Sequence, residues 1–133
     1  METPRLFGKR ILLADDEPAV RYAIRLLLRL DKHVVSEARN GYEALALYSE
    51  NPFDLVITDL EMPGMKGNEL AARIKALAPG QRILMLTAYP EKLGDSRNPV
   101  DALLNKPFTF ADLRDTICRL LTVDPQVGQT RQE

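Results

Sequence analysis

Several features that would assign a protein to a specialised class are scarce or absent in this sequence of 133 residues. It has a single cysteine, Cys118, which cannot form an internal disulfide and fits a reducing environment. No apolar run approaches the roughly 18 residues that a membrane-spanning helix needs. The net charge is only −1, so the charge balance gives no reason to expect direct binding to nucleic acid or to a membrane. These absences predict a cytoplasmic globular protein.

The two ends of the chain also lack recognisable signals. Residues 1–10 contain no apolar central stretch and no small-residue cleavage site, so we expect no secretory signal. Residues 122–133 are polar and without hydrophobic period, which is typical of a linker or frayed end. We therefore expect a leader at residues 1–8, one domain at 9–121 and a polar tail at 122–133.

Short apolar runs alternate with longer segments of helical period. They predict five β-strands at Ile11–Ala14, His33–Glu37, Leu55–Asp59, Ile83–Thr87 and Ala102–Asn105. The first, third and fourth runs have little polar alternation, as in strands that are buried on both faces of a parallel sheet. The alternation of strands and helices predicts an α/β fold with a doubly wound parallel sheet.

Capping residues and prolines mark where the helices begin. Pro18 favours a first helical turn, and Asp16 and Glu17 are placed to cap it. Asn40 begins a sequence that resembles a capping box, and Thr109 can cap the last helix.

In such a sheet, functional groups lie beyond the carboxyl ends of the strands. Those ends carry Asp15, Asp16, Asp59, Thr87 and Lys106. Carboxylates about 4 Å apart repel by roughly 4 kcal/mol at an effective dielectric near 20, so a cation or bound protons must compensate. The strand ends offer oxygen ligands, with no pair of histidines and no thiol among them. Such a set of ligands favours Mg²⁺ over zinc. The lysine and the threonine could then bind the remaining oxygens of a phosphoryl group.

The segments at these strand ends resemble the signature segments of the receiver domain of two-component response regulators. They read ILLADDEP, LVITDLEMPGMKG, ILMLTAY and LLNKPF, and the likeness covers roughly residues 9–121. It implies a sheet of flavodoxin-like order 2-1-3-4-5. It also implies a signalling domain that takes a phosphoryl group from a sensor histidine kinase or a histidine phosphotransfer protein. The domain then switches conformation towards an output partner that the sequence does not identify.

The resemblance implies a role for each residue at the site. Asp59 corresponds to the phosphorylated aspartate, Thr87 to the switch hydroxyl and Lys106 to the lysine that pairs with the phosphoryl group. The implied chemistry is a self-catalysed transfer followed by autodephosphorylation, not turnover of a metabolite.

The same likeness implies the magnesium ligands. Asp16 and Asp59 correspond to direct ligands, and Asp15 to a neighbour that acts through water. The remaining protein ligand would be the backbone carbonyl of Glu61.

Three positions depart from the family pattern. Leu103 stands where the family usually has the aromatic residue that takes part in the readout of the switch, and Lys66 stands where an acidic residue is common. The stretch between Thr87 and Lys106 is short and contains Pro99, so we expect a shortened or irregular fourth helix.

Other functions remain as alternatives. One is a receiver-like interaction domain that works without phosphorylation. Another is a phosphatase of the haloacid dehalogenase type, although its motif would need an aspartate where Glu61 stands. FMN binding is disfavoured because Asp15 and Asp16 would repel the phosphate.

Two further features are expected to lie at the surface. Arg21, Arg25 and Arg29 form a basic stripe that predicts a solvated helix face, with docking to an acidic partner as the alternative. His33 has no nearby ligand types and is predicted to be a surface histidine.

Overall fold

The computed structural model describes residues 6–92 and 99–122, which contain five β-strands and four α-helices. The strands are β1 (Arg10–Ala14), β2 (Val34–Ala38), β3 (Leu55–Asp59), β4 (Ile83–Thr87) and β5 (Ala102–Asn105). The helices are α1 (Pro18–Leu30), α2 (Gly41–Glu50), α3 (Gly67–Leu77) and α4 (Phe110–Thr122). The last three strands have the predicted bounds, β1 begins one residue earlier, and β2 is displaced by one residue.

All strands are parallel, in the order β2-β1-β3-β4-β5. This confirms the doubly wound sheet of order 2-1-3-4-5. The winding reverses between β1 and β3, so a crevice opens beyond the carboxyl ends of these neighbouring strands. Ala14 lies opposite Thr58, and Asp59 lies opposite Leu86, so the strands end at nearly the same level.

The sheet is covered on both faces, and every residue of β3 and β4 is buried. Alternate strand residues point to opposite faces, so each face forms its own apolar cluster. One cluster joins Leu12 and Val56 to Leu70 and Ile74 of α3. The other cluster joins the sheet to α1 and α4; its members include Ile11, Leu13, Ile57, Ile24, Leu28, Leu113 and Ile117.

The predicted caps at the starts of the helices are confirmed in part. Asn40 accepts the Glu43 N–H at 2.8 Å and Thr109 accepts the Asp112 N–H at 3.0 Å, so these two caps are confirmed. For α1 the predicted position of the cap is confirmed at Glu17, which is the N-cap residue, but its side chain makes no capping hydrogen bond within the described part of the chain.

The connection from β4 to β5 departs from a full βα unit. Residues 90–92 form a 3₁₀ turn, and no α-helix occurs among the described residues 88–92 and 99–101. This agrees with the expected shortened or irregular fourth helix, but residues 93–98 of that segment lie outside the described residues. Leu103 packs with Leu60, Met85 and Val100, so an aliphatic cluster takes the place of the usual aromatic residue.

The prediction of a surface histidine was wrong. His33 is buried, with 6% of its surface exposed, and its Nδ1 accepts the backbone N–H of Lys9 at 3.0 Å. The residue precedes β2, and its own N–H donates to the carbonyl of Leu28 at the end of α1. It therefore joins the start of the fold to the turn between α1 and β2.

The predicted solvated face of α1 was also wrong for two of its three arginines. Arg21 and Arg25 both bind Glu37 of β2, at 3.0 and 2.6 Å, and are partly buried. Arg29 is exposed, as predicted.

The predicted leader and tail fall largely on residues 1–5 and 123–133, which lie outside the described residues. Those boundaries stay predictions. Among the residues that are described, no helix has the length and apolarity to cross a membrane.

Candidate metal and phosphoryl site

Three carboxylates converge where β1 and β3 end. Asp15, Asp16 and Asp59 each present an oxygen, and these oxygens lie within 4.8 Å of one another. The Nζ atom of Lys106, which follows β5, lies 3.0 Å from Oδ1 of Asp59 and 3.8 Å from Oδ2 of Asp15. The structure thus brings together the acids and the lysine, which come from three separate segments of the sequence.

Asp15 is fully buried and is held by neighbouring backbone groups. Its N–H donates to the carbonyl of Ala38 at 3.1 Å, and its Oδ1 accepts the N–H of Glu17 at 2.9 Å. Its Oδ2 is buried without a hydrogen-bond partner among the described residues. A buried carboxylate oxygen that lacks a donor, beside two further acids, is the environment in which a hard cation binds. The residues present therefore fit a magnesium ion.

Asp59 is the last residue of β3, and only 5% of its surface is exposed. Its carbonyl accepts the hydroxyl of Thr58 at 2.9 Å. The N–H of Gly67, which opens α3, donates to the carbonyl of Leu60 at 3.0 Å and closes the loop after the strand. This loop keeps the Asp59 carboxylate at the crevice.

The ionised forms of the clustered carboxylates are disfavoured by burial and by mutual repulsion. Burial, which outweighs the opposing effect of Lys106, raises the pKa of Asp59 from 3.8 to about 6, and the charges of Asp15 and Asp16 add to the increase. Burial likewise raises the pKa of Asp15, against the hydrogen bond from Glu17. A bound cation would relieve this repulsion and favour the ionised Asp59 that a nucleophile requires.

The ammonium of Lys106 is stabilised in its charged form. Burial lowers the pKa of this group, but the hydrogen bond to Asp59 and the nearby carboxylate charges outweigh burial, and the net pKa is raised. The backbone N–H of Lys106 donates to the carbonyl of Thr87 at 2.8 Å, and the bond between Lys106 and Pro107 is cis.

Thr87 is the last residue of β4 and is almost fully buried. Its Oγ1 accepts the N–H of Tyr89 at 2.9 Å, which leaves the hydroxyl proton available for an acceptor. Thr87 therefore lies at the same edge of the sheet as the acids, in the strand beside Asp59.

The carboxylate of Glu61 lies at the rim of the crevice, not among the acids. It pairs with Lys66 at 3.3 Å and with Lys92 at 3.7 Å. Lys66, the departure from the family pattern, thus neutralises an acid in its own loop. The crevice is open, and its lining consists of Asp16, Glu17, Asp59, Glu61, Ala88, Tyr89 and Lys106.

Two contacts beside the site were not predicted from the sequence. Glu17 supplies the N–H that Asp15 accepts, and the spacing of two residues is that of an Asx-turn, so this contact could have been predicted. Arg21 donates from Nη1 to the carbonyl of Asp15 at 2.6 Å. No sequence pattern indicates that contact, because it depends on how α1 lies against β2.

Comparison with known proteins identifies the family of the chain. Residues 11–118 match the family described as the response regulator receiver domain. The chain is 34% identical over 118 residues to the chemotaxis protein CheY of Halobacterium salinarum, and the alignment covers 86% of this chain and 98% of that protein.

Solved structures of the same family superpose closely. The response regulator TrrA of Thermotoga maritima, in complex with Mg²⁺-BeF, has a TM-score of 0.81 and 38% identity, covering 85% of this chain and 99% of TrrA. A chain from the complex of histidine kinase ThkA with TrrA has a TM-score of 0.79 and 37% identity, covering 86% and 99%. Since the family match spans most of the sequence and the relatives align almost end to end, the chain belongs to the response regulator receiver domains.

Proposed function

We propose that Asp59 accepts a phosphoryl group and that this modification is the signal that the domain carries. The observation that supports this most directly is the position of Lys106, whose Nζ lies 3.0 Å from one oxygen of Asp59. Asp59 lies closer to the lysine than Asp15 does, at 3.0 Å against 3.8 Å. It is also open to the crevice, through which a donor can approach.

The transfer itself requires few groups. An ionised oxygen of Asp59 attacks the phosphorus of a phosphohistidine, an O–P bond forms, and the P–N bond breaks. The imidazole leaves with the electron pair and takes a proton from solvent. Lys106 offsets the charge of the transferred oxygens, and the Thr87 hydroxyl donates a hydrogen bond to one of them.

Magnesium would be held by the carboxylates of Asp16 and Asp59 and the backbone carbonyl of Glu61, with Asp15 acting through a water molecule. When bound, the ion would supply positive charge and a coordination position for a phosphoryl oxygen. The buried Oδ2 of Asp15, which accepts no hydrogen bond from the described residues, supports a cation at this place.

The donor is proposed to be a sensor histidine kinase or a histidine phosphotransfer protein. The support is that the similar regulator TrrA was solved in complex with the histidine kinase ThkA. The domain would work as a signalling module, in which water later hydrolyses the acyl phosphate. The cytoplasmic location predicted from the sequence stays a prediction, and so does the absence of direct nucleic-acid binding.

The test is mass spectrometry of the intact protein after incubation with a small acyl phosphate and Mg²⁺. Wild type is expected to gain one phosphoryl group, and Asp59→Asn none. Asp115→Asn, which changes an exposed acid on α4, is the matched control and should be labelled like wild type. Full labelling of Asp59→Asn would refute the assignment.

Two results would favour the alternative functions. No labelling of wild type under any of these conditions would favour an interaction domain that works without phosphorylation. Continuous release of phosphate from p-nitrophenyl phosphate would favour a phosphatase.

A further inference from the structure

The loop that carries the acid pair is tied down at Asp15. The backbone N–H of Asp15 is bound by Ala38 of β2, and one carboxylate oxygen is bound by the N–H of Glu17. The carbonyl of Asp15 belongs to the peptide that joins it to Asp16. Whatever holds this carbonyl therefore sets the direction in which the Asp16 side chain leaves the loop.

Arg21 holds that carbonyl. Its Nη1 donates to Asp15 O at 2.6 Å, while its Nε donates to Oε1 of Glu37 at 3.0 Å. The Arg21 side chain is only 13% exposed, and its backbone N–H donates to Glu17 O in the first turn of α1. One guanidinium thus connects the helix, the edge strand and the loop of the acid pair, and burial limits its movement.

Arg25 lies one helical turn further on and provides a natural comparison. It donates from Nη1 to the other carboxylate oxygen of Glu37 at 2.6 Å, so it shares the partner of Arg21. Of the two arginines, Arg21 is the one bonded to Asp15. Replacing either removes one positive charge and one bond to Glu37, and the loss of the bond to Asp15 is specific to Arg21.

We propose that Arg21 is a positioning residue for the metal site: it fixes the peptide between Asp15 and Asp16 so that Asp16 presents its carboxylate to a divalent cation. The inference rests on the proposed function, because it concerns the magnesium ligands named there. Groups that orient metal ligands without touching the metal commonly change affinity by 10–100-fold when they are removed.

The charge of Arg21 and its positioning of the loop predict opposite changes in Mg²⁺ affinity when Arg21 is replaced. Arg21 is positively charged and lies beside the acids, so its removal should strengthen attraction for a dication if charge alone mattered. If its hydrogen bond to Asp15 O matters, its removal should weaken binding. The direction of the change in Mg²⁺ affinity therefore distinguishes the two effects.

The experiment measures the dissociation constant for Mg²⁺ by calorimetry, without any phosphoryl donor, for wild type, Arg21→Gln and Arg25→Gln. We expect binding about tenfold weaker in Arg21→Gln than in Arg25→Gln. The amide NMR signals of Asp16 and Glu17 should shift in Arg21→Gln before metal is added and stay in place in Arg25→Gln. If Arg21→Gln does not fold, Arg21→Lys is compared with Arg25→Lys under the same criterion.

Equal or tighter binding in the Arg21 variant than in the Arg25 variant would overturn the inference. Failure of wild type to bind Mg²⁺, or to be labelled at Asp59, would instead overturn the proposed function. The two failures are distinguishable because wild type reports on the site and the pair of variants reports on Arg21.

Discussion

Gly67 packs against the carbonyl oxygen of Asp59 so closely that a Cβ atom on Gly67 would overlap it and lie 3.0 Å from Cα of Leu60. The first residue of α3 and the last residue of β3 are thus in direct backbone contact. This contact keeps the loop that carries Glu61 against the edge of the sheet. The geometry of the site therefore depends on Gly67 having no side chain.

Gly67→Ala should therefore destabilise the protein by about 1–3 kcal/mol, because either the loop or α3 must move to admit the methyl group. Gly80→Ala is the control, since nothing in the described structure lies within 4 Å of its Cβ position. Denaturant unfolding of the two variants checks this. Equal stability of both would contradict the close contact at Gly67.

Stability without metal should depend on pH through Asp59. Its pKa in the folded protein, about 6, exceeds the ordinary value of 3.8, so protonation favours folding. This contribution is complete below about pH 4 and is lost as the pH rises through 6. Wild type should therefore lose up to about 3 kcal/mol relative to Asp59→Asn between pH 4 and 8, since two pKa units correspond to that energy. Denaturant midpoints measured in a chelator test it, and parallel pH profiles would contradict it.

Magnesium should stabilise wild type but not Asp16→Ala. Removing this carboxylate deprives the cation of a direct ligand, and a ligand stabilises only the state that binds it. Thermal unfolding with and without an excess of Mg²⁺ is the measurement. Asp115→Ala, on the exposed side of α4, should respond like wild type. An equal increase in Tm for Asp16→Ala would refute the role given to Asp16.

His33 should titrate below its ordinary pKa of 6.5. Burial is the largest cause that lowers it, and Lys9 adds to that effect. The charges of Asp31 and Asp54 oppose the shift and do not cancel it. The ring signals are easily followed by NMR because the chain has one histidine.

The same shift has a consequence for stability. Protonated Nδ1 cannot accept the Lys9 N–H, so the contribution of His33 is present above pH 6.5 and lost as the pH falls through the lower folded value. His33→Asn, which keeps an acceptor oxygen near that position, should lose this acid sensitivity. An unchanged acid dependence in His33→Asn would contradict the assignment.

The order of elements and the place of the site were predictable from the sequence. The apolar runs of β3 and β4 leave no polar face for solvent, so both faces of these strands must be buried. Burial on both faces is typical of a parallel sheet with helices on each side. Once the sheet is parallel, Asp59, Thr87 and Lys106 must reach the same edge, whatever the details of their side chains. The caps at Asn40 and Thr109 were predictable for a similar reason, since each cap involves residues three positions apart.

Contacts between residues distant in sequence were decided by the tertiary structure. Arg21 and Arg25 look like a solvated stripe until β2 brings Glu37 against α1. The sequence predicted a surface position for His33, but in the fold its ring accepts the backbone N–H of Lys9. Hydrophobic period reports which face of an element is buried, but it carries no information on which charged group will lie opposite another. The position of Asp59 at the edge of the sheet could therefore be predicted from the sequence alone, whereas the contacts of Arg21 with Asp15 and Glu37 became visible only in the folded chain.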